Sequence, residues 1–408
     1  MTTAATNLAQ IIKAEHATLT EFRRDLHAHP ELGYNETRTS GAIVRELIAL
    51  GITFKAGYAK GTGIVAHIPA TTKNPGGCIA FRADIDALPI QETTGVEYAS
   101  NNPGVMHACG HDGHAAMLVG LARTLVAIEH RPNPVTLIFQ PAEEGGGGGK
   151  LMCEDGALEG ENSDQNPGGL GPKVTRIFGL HNWPGMPLGT VATKPGPLLA
   201  ATDEFNVTIA GNQGHAAFPH TTTDPIVAVC QIVGVLQTIA SRNAPPTDPM
   251  VLSVTKVHSG FTHNVIPADA TFGGTLRSVS DENRAMARGR FHDIVRAQAE
   301  SFGCTAEIVW REGYPVTFND AALSAHVLDT ARGAPNFTEI IRLTEPYLGG
   351  EDFAYYGAHI PACFFVLGSC PEGETNPALL HQPHFDFNDA AIPLGIEMFA
   401  LLALAESS

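Results

Sequence analysis

The sequence has few basic residues and no long uncharged apolar stretch, and each shortage excludes a class of protein. Lys and Arg together number 25 against 42 Asp and Glu, which gives a formal net charge of −17. Nucleic acids and anionic membranes are bound by clustered basic side chains, so we expect neither as a partner. A membrane-spanning helix needs about 20 apolar residues, and we find no uncharged apolar run of about 18. We therefore expect no membrane span.

Signals for secretion and a disulfide framework are also missing. The first residues, MTTAATNLAQIIKAEH, lack the basic start and the apolar block of a secretion signal. The seven cysteines are odd in number, widely spread and mostly embedded in apolar segments, as at Cys78 and Cys363. This pattern is typical of buried free thiols in a reducing compartment. We predict a cytoplasmic protein.

The residues that are present predict a two-domain α/β protein. A chain of 408 residues exceeds the size at which single cores usually stop growing, about 250–300 residues. Short apolar runs alternate with amphipathic segments, which indicates a mixed, largely parallel sheet covered by helices. The predicted helices are 7–27, 36–50 and 115–129, and the predicted strands are 63–68, 78–81, 135–139, 174–178 and 362–367.

The middle of the chain has a different order of elements. Strands are predicted at 203–210, 250–257, 268–277 and 304–310, with helices at 224–241 and 281–302, the second capped by Ser280. The order β-α-β-β-α-β is that of a ferredoxin-like unit. We predict a catalytic domain formed by residues 1–198 and 315–408, with a ferredoxin-like lid or dimerisation domain, 199–314, inserted between its two parts.

Polar clusters follow three of the predicted strands. They are FRADID at 81–86, FQPAEE at 139–144 and FGLHN at 178–182, and each should project from the carboxyl end of its strand, where ligands collect in open α/β sheets. HACGHDGH at 107–114 and LHQPH at 380–384 add thiol and imidazole groups. Thiolate, imidazole and carboxylate together suit zinc, manganese, cobalt or nickel. We predict a metal site.

Each cluster also has a structural explanation. An isolated Glu-Glu pair is usually a solvated face, and single histidines are usually structural. The glycine run 145–149 could suggest a phosphate cradle, but the Lys-Ser/Thr ending of a P-loop is missing. Close packing of backbone beside the site explains the glycines better. The agreement of three strand-end clusters favours the metal site over these separate explanations.

The ordered motifs resemble those of a known family over nearly the whole chain. They run from FRRDLHAHPELGYNE at 22–36 through RADIDALPIQE, HACGHDGH, FQPAEEGGGG, GLHNWPG, GHAAFPH, NVIP and GGEDFAYY to LHQPHFDFND. The sequence is similar to the aminoacylase and carboxypeptidase group of dinuclear metallopeptidases. Its branch contains hippurate hydrolases, N-acyl-amino-acid amidohydrolases and plant auxin-conjugate hydrolases.

The resemblance implies two divalent metal ions and five ligands, with cysteine at the bridging position that aspartate fills in sister branches. Asp84 and Asp86 lie where sister branches have a ligand histidine and its surroundings, and we expect them to orient ligand histidines rather than bind metal. His384 is not expected to be a ligand. The implied ligands are Cys109, His111, Glu144, His181 and His381.

The resemblance also assigns roles around the metal ions. Glu143 is implied as the general base and acid. His215 is implied to reach a neighbouring subunit's active site and stabilise the oxyanion, whereas His220 could simply brace its loop. Asn264 and Arg277 are implied to bind the free carboxylate of the substrate, although Arg277 could also be an ordinary strand residue. A homodimer or a dimer of dimers through the inserted domain follows.

We therefore predict a metal-dependent amidohydrolase that cleaves N-acyl amino acids, or related conjugates, into a carboxylic acid and an amino acid. Three alternatives stay open. The same dinuclear site could serve a dipeptidase or carboxypeptidase, or it could hydrolytically deaminate an aromatic amine. The chain could also be a non-catalytic binding protein on an inactive enzyme scaffold, which the intact Glu143 argues against.

Overall fold

The computed structural model describes residues 3–73, 75–161, 163–164 and 169–406. Helices and strands alternate through both ends of the chain, as predicted. The helices are α1 Thr3–Ala28, α2 Thr37–Ala49, α3 His111–Ala127, α4 Gly148–Glu154, α5 Pro225–Thr238, α6 Asp281–Ser301, α7 Ala321–Gly333, α8 Ala354–Gly357 and α9 Ala391–Leu404. The strands are β1 Thr53–Tyr58, β2 Gly63–Ile68, β3 Cys78–Asp84, β4 Val135–Gln140, β5 Val174–Pro187, β6 Thr190–Thr193, β7 Gly196–Leu199, β8 Ala201–Ala210, β9 Gly214–His215, β10 Met250–Ser259, β11 Val265–Ile266, β12 Asp269–Ser278, β13 Thr305–Glu312, β14 Thr317–Asn319, β15 Glu339–Arg342 and β16 Ala362–Cys370.

The chain divides into two compact units. The first consists of Met1–Leu198, Phe318–Thr344 and Asp352–Ser408, and the second of Leu199–Thr317 and Glu345–Glu351. The segment Glu345–Glu351 therefore lies with the second unit, although the sequence analysis placed it in the catalytic domain. Backbone contacts within the second unit explain this, because Ala200 N–H donates to the carbonyl of Gly349 at 2.9 Å.

The first unit is built on one mixed sheet with the strand order β1-β2-β4-β3-β5-β16-β6-β15. Its central strands β4, β3, β5 and β16 run parallel, while β2 is antiparallel to β4. Every residue of β3 and β4 is buried, which accounts for their continuous apolar runs. Helices α1, α3 and α9 pack together, and the rings of Phe81 on β3 and Phe399 on α9 lie 5.0 Å apart. The predicted mixed, largely parallel sheet is confirmed.

The second unit contains the antiparallel sheet β10-β12-β8-β13. Helices α5 and α6 pack against each other and against this sheet, with Phe205 of β8 4.5 Å from Phe291 of α6 between ring centres. Helix α6 begins after Ser280, whose Oγ accepts a hydrogen bond from Asn283 N–H, as the sequence predicts. The order of these elements is β-α-β-β-α-β.

One helical segment among the described residues bears on the expectation that no part of the chain spans a membrane. Helix α5 and the π-helical turn after it, Pro225–Asn243, are together long and apolar enough to cross a membrane by length and composition. The segment contains Gln, Thr and Ser and ends with Arg242 and Asn243, so it is not an unbroken uncharged apolar run of about 18 residues, and the absence of a membrane span stays a prediction. A single helix of this kind is weak support for a span, since core helices meet the same criterion.

Candidate metal centre

The predicted polar clusters lie at the same level of the first unit's sheet. Asp84, the last residue of β3, pairs with Gln140, the last residue of β4. On the other side of β3, Arg82 pairs with Gly179 of β5. His181, two residues after Gly179, therefore lies level with Asp84 at the end of β3. Strand β5 itself continues to Pro187. His181 is therefore inside a strand rather than after its end, a correction to the predicted end of this strand at 178.

Helix α3 begins at the metal-site motif and brings its donors to the same edge. It starts at His111, four residues earlier than predicted, with Gly110 before it in the left-handed region at φ 89°. A Cβ on Gly110 would lie 2.4 Å from the side-chain oxygen of Asn182, so both conformation and space require glycine. This turn places Cys109 directly before the helix and His111 in its first turn.

The structure brings all five predicted ligands into two groups that share Cys109. In one group the donor atoms of Cys109, His111 and His181 lie within 4.8 Å of one another. In the other the donor atoms of Cys109, Glu144 and His381 do so. Cys109 Sγ is 3.3 Å from His181 Nε2, and His381 Nε2 is 3.2 Å from Glu144 Oε1. Two groups that share one donor are the arrangement that a bridged pair of ions needs.

Hydrogen bonds fix which nitrogen of two histidines faces the cluster. His181 Nδ1–H donates to the carbonyl of Asn182 at 2.8 Å. His111 Nδ1 lies 3.0 Å from the carbonyl of Asp86 and 3.1 Å from its Oδ1. A carbonyl can only accept, so both Nδ1 atoms carry hydrogen and both Nε2 atoms keep the capacity to bind an ion.

The pKa shifts in the cluster indicate that acidic groups surround His111 and His381 and favour a positive charge there. Burial raises the pKa of the Cys109 thiol, and Glu144 raises it further. Burial opposes charge on His111, but Asp84 and Cys109 outweigh it and raise its pKa well above the usual range. Contacts with Cys109 and Glu144 raise the pKa of His381 to about 10. Divalent ions would replace these protons, so the donor set fits a metal pair.

Asp86 connects the two groups of donors. One carboxylate oxygen, Oδ1, faces His111, while the other, Oδ2, accepts from Glu144 N–H at 2.9 Å. Asp86 is buried, so this carboxylate is held rigidly between two elements that carry donors. A single side chain thus orients a ring from helix α3 and a backbone from the loop after β4.

Asp84 anchors a fully buried network that also reaches the cluster, since its Oδ2 lies 3.8 Å from His111 Nε2 and Asp84, His111 and His114 form a further group of donor atoms. Its oxygens contact Arg82 Nη1 at 2.6 Å and His114 Nδ1 at 2.6 Å. Burial alone would raise the pKa of Asp84, but the charges of His111, Arg82 and His114 hold it well below the usual range. Because Asn182 contacts the other nitrogen of His114 at 2.7 Å, this histidine is satisfied within the protein.

Glu143 lies in a tight loop directly after β4. It is buried, and its Oε1 is 3.4 Å from the backbone nitrogen of Asp352. The residue before it, Ala142, has φ 53°, in the left-handed region that non-glycine residues rarely adopt. A Cβ on Gly148 would lie 1.7 Å from the carbonyl of Pro141, so the glycine run packs backbone against backbone.

The remaining predicted residues lie at two places in the second unit, His215 and Asn264 towards the start of β12 and Arg277 near its end. His215 of β9 pairs with Val265 of β11, and the carbonyl of Asn264 accepts from Ala216 N–H at 3.0 Å. His215 Nδ1 accepts from Ala217 N–H at 3.0 Å, which leaves the hydrogen on the exposed Nε2. On β12, Arg277 is half-buried and contacts Thr275 Oγ1 at 2.7 Å.

A family model described as Peptidase family M20/M25/M40 matches residues 80–405. The chain belongs to this family. N-acetyl-L-cysteine deacetylase of Bacillus subtilis (strain 168) is 40% identical over 372 residues, which is 91% of this chain and 84% of that protein. IAA-amino acid hydrolase ILR1-like 4 of Arabidopsis thaliana is 38% identical over 390 residues, 94% of this chain and 84% of that protein.

A solved structure agrees with the fold. A dinuclear metal-binding peptidase of the M20 family from Bacillus subtilis superposes with a TM-score of 0.79 at 35% identity, covering 96% of this chain and 98% of that one. Membership of the M20 family confirms the predicted resemblance, the α/β fold class and the prediction of a metal-dependent amidohydrolase.

Sequence reasoning missed the buried support behind this M20-type site. Arg82 donates to Gln140 Oε1 at 2.8 Å and to Asp352 Oδ1 at 2.8 Å, and Asp352 also accepts from Gly149 N–H at 2.8 Å. The signal available was a charged residue inside an otherwise apolar strand, because a buried arginine needs partners. His384 is exposed and is absent from the donor groups found among the described residues.

Proposed function

We propose that this protein hydrolyses the amide bond of N-acyl amino acids or related conjugates, releasing a carboxylic acid and an amino acid. Two divalent ions would be held by Cys109, His111 and His181 on one side and by Cys109, Glu144 and His381 on the other. The observation that carries the proposal is the pair of donor groups sharing Cys109, with a buried carboxylate, Glu143, beside the ligand Glu144.

The ions supply Lewis-acid polarisation of the amide carbonyl and make a water molecule more acidic. Glu143 accepts a proton from the attacking water and later returns it to the amide nitrogen as the C–N bond breaks. Asp86 fixes the orientation of the His111 ring and of the Glu144 backbone. Asp84 supports the cluster through its contacts with Arg82 and His114. Zinc, manganese, cobalt and nickel all suit a thiolate, imidazole and carboxylate set.

The second unit would recognise the substrate. The exposed Nε2–H of His215 is a donor suited to the oxyanion that forms when water attacks the carbonyl. Arg277 forms no ion pair with a carboxylate among the described residues, so its guanidinium remains available for a substrate carboxylate. Asn264, next to β11, lies at the opposite end of β12 from Arg277, so the two would reach one carboxylate only if a second copy of the chain supplied one of them.

We infer a homodimer, or a dimer of such dimers, through the second unit. Strand β10 is an edge strand of its sheet, and its second half is exposed, including Val257. On α5 the side chains of Ile226 and Val227 are also exposed. An unpaired strand edge beside an apolar helix face is a surface that a second copy of the chain can cover. His215 would then serve the neighbouring subunit's site.

The compartment is proposed on cysteine chemistry. All seven cysteines are free thiols, and Cys78, Cys109, Cys304 and Cys363 are buried. Free thiols in this number suit the reducing cytoplasm.

The proposal is tested with purified protein loaded separately with each of the four metals. Acetyl, benzoyl and indole-acetyl amino acids are assayed beside dipeptides and an aromatic amine. We expect turnover of acyl amino acids, and we expect Glu143→Ala to lower kcat by about 10²–10⁴-fold while both ions stay bound. Glu154→Ala, an exposed carboxylate on α4, is the control. An active Glu143→Ala enzyme would overturn the assignment of the base.

A second candidate function has its own support. Thermostable carboxypeptidase 2 of Saccharolobus solfataricus is 37% identical over 392 residues, 95% of each chain. A carboxypeptidase would need the same carboxylate site and the same base. Preference for dipeptides over all acyl amino acids in the panel above would favour this candidate.

A further inference from the structure

The segment 33–36, the end of the motif FRRDLHAHPELGYNE, has no part in the chemistry described so far. It lies against the loop after β4 that carries the base. Glu36 is fully buried, and its two oxygens have different partners. Oε1 accepts from Ala142 N–H at 2.9 Å, and Oε2 accepts from Thr62 Oγ at 2.8 Å.

Ala142 needs such a partner for two reasons. It is buried, and a buried N–H left without an acceptor loses the hydrogen bond that it would make to water in the unfolded chain. It also has φ 53°, and a non-glycine residue in this sparsely populated region persists only where its surroundings fix it. A carboxylate is a stronger acceptor than a neutral group. Glu36 thus stabilises a backbone conformation that Ala142 would otherwise leave.

The neighbours of Glu36 hold the same loop. A Cβ on Gly33 would lie 3.0 Å from the Cβ of Ala142, so the two backbones are in close contact. The hydroxyl of Tyr34 donates to the carbonyl of Gly146 at 2.6 Å. The segment therefore contacts the loop on both sides of Glu143.

We propose that Glu36 is a positioning residue for the reaction: by fixing Ala142 it sets the direction in which Glu143 leaves the loop. This proposal rests on the role of Glu143 given above. The neighbouring ligand Glu144 depends less on Glu36, because its own N–H is held by Asp86 Oδ2. Loss of the Glu36 contact should therefore misplace the base while leaving the metal ions bound.

The test compares four variants of the full chain loaded with metal. Glu36→Ala removes both contacts, and Glu36→Gln keeps an acceptor oxygen for Ala142. Thr62→Val removes only the other partner of Glu36. Glu397→Ala is the matched control, since Glu397 is a buried carboxylate on α9 whose Oε2 accepts from Asn336 at 2.7 Å.

We expect Glu36→Ala to lower kcat by about 10²-fold, the scale of a misplaced catalytic group, with KM nearly unchanged and two ions retained. Glu36→Gln should keep most of the rate, and Thr62→Val and Glu397→Ala should keep kcat. Hydrogen exchange of the amides at 142–146 should quicken in Glu36→Ala alone. If Glu36→Ala does not fold, Gly33→Ala displaces Ala142 from the other side and should show the same loss of kcat with both ions bound.

An unchanged kcat in the folded Glu36→Ala protein, or in Gly33→Ala where that variant replaces it, would overturn the proposal. Loss of metal in parallel with rate, or an equal loss of rate in Glu397→Ala, would overturn it too. Wild-type protein is assayed first with the acyl amino acid panel. No turnover by any metal form refutes the proposed function, whereas hydrogen exchange at 142–146 still reports on whether Glu36 holds the loop.

Discussion

The two units hold their predicted functional residues in different ways. In the first unit Cys109, His111 and His181 are buried, and the ring nitrogens that do not face the cluster are engaged by backbone or by Asp86. In the second unit His215 and Asn264 are largely exposed on short strands and loops. Around Cys109, His111 and His181 the first unit is therefore preorganised, although the side chain of His381 is half exposed. The second unit offers donors whose partners come with the substrate.

The largest loss of metal and activity is expected on substitution of Cys109, the donor that both ligand groups of the first unit share. Cys109→Ser should reduce bound metal below two ions per chain and reduce activity to background, because hydroxyl replaces the thiolate in both groups at once. His381→Ala should do the same for one group. Metal analysis beside turnover checks this, with Cys230→Ser, an exposed thiol on α5, as control. Full metal content with full activity in Cys109→Ser would remove Cys109 from the centre.

A smaller effect is expected in the second unit, without loss of metal. His215→Ala should lower kcat by about 10²–10³-fold, the usual scale for one oxyanion donor. His220→Ala, on the same exposed loop, should have little effect. Mixed and reassembled with Glu143→Ala, the His215→Ala protein should regain part of the activity if His215 serves a neighbouring subunit. Verified heterodimers that stay inactive would show that each subunit uses its own His215.

The next effect concerns binding rather than rate. Arg277→Ala should raise KM by about 10–100-fold, which corresponds to losing a hydrogen bond to a charged group worth about 1.5–3 kcal/mol. Arg277→Lys should recover only part, because lysine lacks the planar fork. Arg288→Ala on α6 is the control. A substrate whose carboxylate is converted to an amide should bind wild type and Arg277→Ala equally, and a tenfold difference for that substrate would contradict the role.

The last effect is on stability rather than on activity and is confined to the first unit. Burial would lower the pKa of His27, but its hydrogen bonds and attraction to Asp112, together with its bond to Glu92, raise that pKa to about 9. Since the unfolded value is about 6.5, protonated His27 stabilises fully below about pH 6.5, and this contribution is lost as pH rises through 9. It amounts to about 3 kcal/mol at most.

Unfolding of His27→Gln and wild type between pH 6 and pH 10 checks this linkage. The difference in the free energy of unfolding should be largest near pH 6 and should shrink toward pH 10. His258→Gln, on an exposed part of β10, should show no such trend. A difference for His27→Gln that does not vary with pH would mean that His27 contributes through packing alone.

The residues of the candidate site that could be predicted from the sequence are those that lie within short motifs. Cys109 and His111 lie on one short motif and Glu144 follows a strand, so the family resemblance of these motifs was enough to name them as candidate ligands. Asp86 was expected to orient a histidine. The sequence did not predict that its second oxygen would accept a hydrogen bond from Glu144 N–H. The contact of Glu36 with Ala142 joins residues 106 positions apart and has no local pattern.

The fold shows the same division. Apolar runs predicted β3 and β4 because those strands are buried throughout. The extent of β5 was missed because its second half mixes polar, Gly and Pro residues, which local propensity does not favour in a strand, and pairing with β16 keeps it extended through Trp183. The segment Glu345–Glu351 went to the second unit through backbone bonds that no sequence pattern reports.

The burial of Cys109 also bears on how the proposed metal site would respond to a shortage of metal under oxidative stress. Thiols are oxidised to sulfenic acid mainly as thiolates and where they are accessible. Without ions Cys109 would be a buried thiol whose pKa is raised, so little of it would be in the reactive form. Loss of metal would therefore silence the proposed site without damaging it, and metal alone would restore it.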